Sequence, residues 1–342
     1  MRRRTFFHTF ALGGAAAATT PVLPPRTPER PIVGHGDFRY RVHRDWGTAD
    51  AARFPVQNCH EMVEDRAGRL FLLTDHPKNN VLIYDRSGKI VDAWTLGLPG
   101  AHGLTISTEG NEEYLYITDA EHRHRVFKTT LDGRVVLELT YPREIVDYAS
   151  EADWKPTETA VLPNGDFLVA DGYGLDFIIR YDTRGNYLHH FGGRGPGAHH
   201  LRNAHGVALD TRGSEPQILV TSRSDQQLKR YALDGTHRST LDLPNASICR
   251  PVLHGEQLYF AVIVTDSWWS YDGMVYVLDK NDRVVSAPGG TEPSYQDGVL
   301  QPAASDLTTF FNPHDVCVDR DENLYVAQWY SGRTYPIKLE RI

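Results

Sequence analysis

The sequence predicts an all-β protein, one six-bladed β-propeller whose last blade is closed by a strand from the N-terminus. Three observations carry this. Beyond residue 37 the chain is a succession of short alternating runs rich in Val, Ile, Leu, Tyr and Phe, separated by turns such as DRAGR, DRSGK, LPNGD, LDGT and KNDR. A four-strand unit recurs, most clearly from Thr157 through AVLPNGDFLVADGYGLDFIIRYDTRGNYLHHFG. The innermost strands of the units begin at about His60, His102, Thr157, His205, Arg250 and His314, a mean spacing close to the roughly 40–50 residues of one blade.

Taken in order, residues 1–31 stand apart from this pattern. Arg2, Arg3 and Arg4 precede a short, weakly apolar stretch from Phe6 to Ala18 and then small residues, the layout of an export signal. RRRTFF resembles a twin-arginine signal, with an ordinary secretory leader or a lipid-free membrane anchor as the alternatives, and the stretch is shorter than the ~20 residues that span a bilayer. A proline-rich linker from Val22 to Pro31 follows, so the expected propeller occupies residues 32–342. The final unit, ending at YPIKLERI, accounts for only three strands. FRYRVHRDW, Phe38–Trp46, supplies a fourth and leaves no long open edge. Pro251–Phe260 and Ala287–Phe311 break the pattern, so five to seven blades remain compatible with it.

The composition excludes some functions. At 40% hydrophobic and 23% charged residues the chain has material for a globular core, and a formal charge of −8 offers no footprint for nucleic acid. Cys59, Cys249 and Cys317 are odd in number and form no pair motif, which favours small buried hydrophobes over a disulfide framework or metal ligation. No other segment could cross a membrane, and the expectation is an exported monomer.

Histidines mark the start of alternate repeats. AHGLTI at Ala101, AHGVALD at Ala204 and PHDVCVD at Pro313 place His102, His205 and His314 in register, 103 and 109 residues apart, about twice one repeat. Innermost strands run roughly along the axis, so residues at their starts crowd one mouth of the central channel. On alternate blades the three imidazoles converge with approximate three-fold symmetry, a donor set that suits zinc or another divalent transition metal with one open position. His60, Thr157 and Arg250 fill the intervening positions.

At these residues the chain resembles a known family. AHGLTI, DGYGLDFIIRYDTRGNYLHHFGGRG, AHGVALD and NPHDVCVD are similar to the lyase domain of peptidylglycine α-amidating enzymes, an NHL-type six-bladed propeller, over roughly residues 95 to 340. The family cleaves peptidyl-α-hydroxyglycine to a peptide amide and glyoxylate. The resemblance implies a zinc on His102, His205 and His314. It implies a catalytic tyrosine at Tyr173 in VADGYG, an arginine at Arg223 in VTSRSD and an aspartate at Asp315. Zinc would act as Lewis acid, a tyrosinate would accept a proton and an arginine would hold a carboxylate. His60, Arg250 and His76 are the expected substrate-binding residues, and a structural Ca2+ is a possible second ion. The chain departs from the family where a first-blade arginine is replaced by Asp75 and His76 in LTDHPKNN, and where cysteines bracketing the tyrosine and arginine loops are missing. Fold and metal site therefore transfer better than substrate.

Two other classes compete with a secreted metal-dependent lyase acting on a small or peptide-derived substrate. A lactonase of the gluconolactonase type shares the six-bladed architecture but uses acidic and asparagine ligands for calcium, which the histidine ring argues against. A non-catalytic propeller binding a saccharide or protein would use Trp268, Trp269 and Tyr271 as an aromatic wall.

Overall fold

The computed structural model describes residues 30–342 apart from residue 266, so the expected export signal lies outside the described residues. Pro31–Ile342 form one compact unit. Six antiparallel sheets of at least four strands make up the unit, five built from consecutive strands and the sixth from both ends of the described chain. The innermost strands are Cys59–Glu64, Ala101–Glu109, Glu158–Val161, Ala204–Asp210, Val252–His254 and Pro313–Val318, which number blades one to six. Two single-turn 3-10 segments, Glu151–Asp153 and Arg223–Asp225, are the helical elements of the described residues. Among those residues no helix is long and apolar enough to cross a membrane.

Burial follows position in the blade. The second strands Leu70–Thr74, Phe167–Ala170 and Leu324–Gln328 are buried at every residue, since neighbouring blades cover both their faces. Outer strands such as Ile90–Trp94 cover one face only and are half-exposed. The core therefore lies between blades. Tyr259, Val275 and Val277 of blade five pack on Val316, Val326 and Leu339 of blade six, and Cys317, Tyr325 and Ala327 pack on Met62, Leu70 and Leu72 of blade one. Cys59 and Cys317 are buried free thiols within this packing.

Blade six joins the two ends of the described chain. Phe38–His43 pairs with Ile337–Arg341, Val42 opposite Leu339 and Tyr40 opposite Arg341. The closure read from the sequence is thus present, and Ile32–His35 adds a fifth strand outside it, paired with Phe38–His43. The two irregular stretches also have physical causes. Pro251 has no N–H for a ladder, and the innermost strand of blade five begins only after it, at Val252. Ala287–Phe311 contains a small hairpin, Tyr295–Gln296 with Val299–Leu300, and buries Leu300, Ala303 and Phe310 against the core.

One local feature positions the histidines. In blades one, two, four and six the register of the innermost strand slips at the histidine, between Cys59 and Met62, Ala101 and Leu104, Ala204 and Gly206, and Pro313 and Asp315. Such a bulge takes a residue out of the up–down alternation and re-aims its side chain. In blades two and four a second-strand threonine hydroxyl accepts the next amide, Gly103 N–H to Thr118 Oγ1 and Gly206 N–H to Thr221 Oγ1, both at 2.7 Å. Glycine follows these two histidines because the adjacent blade is so close. A Cβ on Gly103 would sit 2.4 Å from the Thr157 carbonyl oxygen, and one on Gly206 would sit 2.3 Å from Arg250 Cα.

Closure by side-chain packing across the seam makes a measurable prediction. Leu339 is fully buried, so Leu339→Ala should lower unfolding stability by about 2–5 kcal/mol, read as a shifted urea midpoint. A loss under about 1 kcal/mol would mean that the seam does not carry the packing described here.

Candidate metal centre

Each histidine at a bulge meets its counterparts on the axis. The ring centroids of His102, His205 and His314 are 4.8–4.9 Å apart, nearly an equilateral triangle. His60 joins them, 5.2 Å from His102 and 4.9 Å from His314. All four are buried. Their donor atoms draw together in two overlapping triplets, His60–His102–His314 and His205–Cys249–His314, each with its donors within 4.8 Å of one another. The triplet read from the sequence is spread across both, and each contains one donor that the histidine pattern missed.

The fit to a metal rests on unsatisfied nitrogens. His102 Nδ1 lies 2.9 Å from the Thr157 carbonyl and His314 Nδ1 lies 3.1 Å from the His60 carbonyl, so each Nδ1 carries the proton and leaves Nε2 as a lone-pair donor. Both ring nitrogens of His205, and both of His60, are buried without a hydrogen-bond partner. A buried polar atom left so costs about 1–3 kcal/mol unless something binds it. Burial pushes the imidazoles of His102, His205 and His314 well below the usual histidine range, with neighbouring rings and Arg223 acting the same way, so they are neutral and able to ligate. Imidazole and thiolate donors suit zinc and its neighbours in the first transition row.

Tyr173 and Arg223 stand beside the ring. Tyr173 Oη is 3.0 Å from His102 Nε2 and accepts a hydrogen bond from Arg223 Nη2 at 3.2 Å. Burial raises the tyrosine hydroxyl above its ordinary range, and Arg223 opposes that shift by favouring the phenolate. Arg223 Nε donates to Asn203 Oδ1 at 2.7 Å, and the guanidinium lies over the Trp268 ring at 5.2 Å. A cleft of about 530 Å³ opens past Tyr173, lined by Asn203, Arg194 and Arg202. Those two arginines pair with Asp176 and Asp225, yet stay exposed enough to meet a solute. Nothing in their sequence spacing singled them out. A larger cavity, about 740 Å³, opens around Thr105–Gly110, Asn164 and Arg250 and includes neither Tyr173 nor any of the histidines, so it lies apart from this chemistry.

Three of the expected residues stand apart from the ring. Arg250 was expected at the channel mouth facing substrate, but Cys249 holds that position and Arg250 lies one residue deeper. The cause is the blade-five register, in which Cys249 N–H donates to the Ala261 carbonyl just as Thr157 N–H donates to that of Ala170. Asp315, expected in catalysis, has both oxygens engaged elsewhere. Arg250 Nε and Nη2 donate to it at 2.8 and 2.9 Å, and the Met62 amide at 2.8 Å. His76 stands outside the ring on a half-exposed turn, its Nδ1 accepting the Lys78 amide at 3.2 Å. Beside it, Asp75 approaches His60 to 3.6 Å and accepts two hydrogen bonds from Asn58.

Arg250 also bears on calcium. Its Nη1 donates to the Leu104 carbonyl at 2.9 Å and its Nη2 to the Met62 carbonyl at 2.8 Å. With Asp315 these form an oxygen cage that a hard cation would suit, and the guanidinium fills it. Glu61 and Glu158 complete the layer at 3.6 and 4.0 Å. Burial, with Glu158 and Asp315 nearby, raises Glu61 well above the carboxylate range, so it keeps its proton.

Fold and ring together describe a propeller with a histidine-rich candidate metal site at one end of its axis. Among curated proteins the chain is similar to three named for one activity. It is 29% identical over 147 residues to a probable peptidyl-α-hydroxyglycine α-amidating lyase of Caenorhabditis elegans, a match covering 39% of this chain and 41% of the relative. It is 38% identical over 90 residues to peptidyl-α-hydroxyglycine α-amidating lyase 1 of Drosophila melanogaster, covering 25% and 16%, and 29% over 161 residues to lyase 2 of the same organism, covering 46% and 34%. These matches thus span less than half of each relative. No known protein-family profile matches the chain. Solved structures that share the fold include a Xanthomonas campestris gluconolactonase (TM-score 0.60, 14% identity, 94% of this chain and 99% of that one). Another is virginiamycin B lyase from Staphylococcus aureus (TM-score 0.54, 13% identity, 91% and 100%). At such identities they speak for architecture alone.

The arginine layer generates a prediction of its own. Arg250→Met leaves Asp315, two carbonyls and two glutamates without their cation, and should cost about 3–5 kcal/mol in urea unfolding. Arg250→Lys should fail to restore stability, because one ammonium cannot make the four hydrogen bonds of the guanidinium.

Proposed function

We propose that this protein is a metal-dependent lyase acting on an α-hydroxyglycine-type compound, exported and zinc-loaded, with His102, His205 and His314 among the ligands. The observation that carries the reading is the Tyr173–Arg223 pair set against a ring of buried histidines with unpartnered nitrogens. The relatives named above support the lyase class. A zinc ion bound there would supply Lewis acidity and lower the pKa of a bound hydroxyl.

The chain's own groups account for the rest. Tyr173 is the base for the substrate's α-hydroxyl, with Arg223 at 3.2 Å stabilising the phenolate. As that proton leaves, the hydroxyl oxygen becomes a carbonyl, the carbon–nitrogen bond breaks and the departing amide nitrogen takes up a proton. A carboxylate on the substrate meets the positive edge of the cleft, Arg223 with Arg194 and Arg202, which compensates for Asp75 standing where the resemblance implies an arginine. Trp268, exposed and stacked on Arg223, with the exposed Trp269 and Tyr271 close to it in sequence, suits an apolar peptide side chain. They equally suit a sugar face, the basis of the second reading as a saccharide-binding propeller.

Metal analysis and kinetics test this directly. The purified protein should contain one zinc per chain, and His205→Ala should lose it while keeping a β-rich fold; full retention would rule out the assignment. With an α-hydroxyglycine peptide as substrate and glyoxylate release as readout, Tyr173→Phe should lower turnover ~10²–10⁴-fold with little change in stability. Retention of activity within a fewfold makes Tyr173 a packing residue. For the export route, Arg3→Lys combined with Arg4→Lys should leave precursor inside the cell, and undiminished export would point to the general secretory pathway.

A further inference from the structure

Cys249 occupies the fifth of six equivalent positions in the ring. His60, His102, Thr157, His205 and His314 hold the others, each at the start of its blade's innermost strand. Thr157 is turned away, its hydroxyl donating to the Ala170 and Ala204 carbonyls. Cys249 is fully buried and unoxidised. Its sulfur lies within 4.8 Å of donor atoms on His205 and His314. His205 is itself fully buried with neither ring nitrogen hydrogen-bonded, an independent sign that something is meant to sit between them. Cys249 also touches the apolar cluster of Ala261, Ile263 and Val264, but among the described residues Cys59 and Cys317 belong to no group of converging donors.

We propose that Cys249 is a metal ligand, its thiolate joining His205 and His314 around the ion. This rests on the reading that the ring binds a transition metal, and adds to it a donor that the histidine pattern does not contain. The chemistry is an exchange without redox change: the thiol proton passes to solvent as the sulfur–metal bond forms. Burial pushes the Cys249 thiol up to about 12 and Arg223 works against that shift, so loss of the proton depends on the metal itself. One sulfur among imidazoles softens the donor set, favouring zinc over hard ions such as Mg2+ or Ca2+. With His102 also bound, a substrate oxygen would enter as a fifth ligand, a coordination number that zinc reaches in catalytic sites.

Cobalt(II) is the probe, added to metal-stripped full-length protein. The wild type should bind one equivalent and show visible d–d bands together with a near-ultraviolet thiolate-to-cobalt charge-transfer band. Cys249→Ser and Cys249→Ala should keep the d–d bands, with wild-type circular dichroism, and lose the charge-transfer band. Cobalt d–d bands without charge transfer in the wild type would overturn the sulfur ligand while leaving the histidine site standing. Persistence of the band in both variants would assign it to another cysteine and overturn the proposal equally. Failure of cobalt to bind any form, zinc being absent from the protein as isolated, would overturn the metal reading itself and this inference with it.

Discussion

Six strands that run together along one axis must put something into the space between them, and here a single buried arginine does most of that. Arg250 is shared by Asp315, by the carbonyls of Met62 and Leu104, and at longer range by Glu61 and Glu158. It therefore ties blade five to blades one, two, three and six. Burying a cation is expensive, and only the surrounding anions and oriented carbonyls make the position tolerable. The protonated Glu61 belongs to the same balance, since three carboxylates against one guanidinium would otherwise leave excess negative charge in a dry channel. The histidine ring rests directly on this layer, one residue nearer the mouth.

The two layers divide the labour of the channel. In the lower one Arg250 donates four hydrogen bonds and offsets much of the carboxylate charge, which suits a structural plug. The upper one has donors without partners, His205 and His60 above all. Unsatisfied groups beside Tyr173, which itself borders a cleft with Arg194 and Arg202, are what a ligand-binding site requires. Stability and chemistry are thus kept one residue apart along the same six strands. The bulges make this possible: without them, strict alternation would send side chains at successive positions to opposite faces of the blade.

Blade architecture was legible because it is written in local signals. Alternating apolar runs, Asp–Gly and Asn–Gly turns and a repeat near the length of one blade require no knowledge of distant contacts. The orphan strand at Phe38 could be matched to the incomplete last unit by counting alone. Histidine register was legible for the same reason, since equivalent places in a repeat are equivalent places in space. The local signal failed at blade five. Pro251 interrupts the ladder there, and a one-residue error in the innermost strand exchanged Cys249 for Arg250 at the ring position.

What the sequence determined alone was the fold class, the closure and the convergence of His102, His205 and His314, all consequences of periodicity. Tertiary structure decided which neighbours those residues meet. It put Cys249 into the ring, drew His60 within reach of the other donors, sent Asp315 to Arg250, left His76 on an outer turn and set Arg194 and Arg202 along the cleft. Charge pairing and donor geometry depend on distances of a few ångströms between blades far apart in the chain. Spacing along one strand fixes the height of a side chain in the channel, and only the packed ring fixes what stands opposite it.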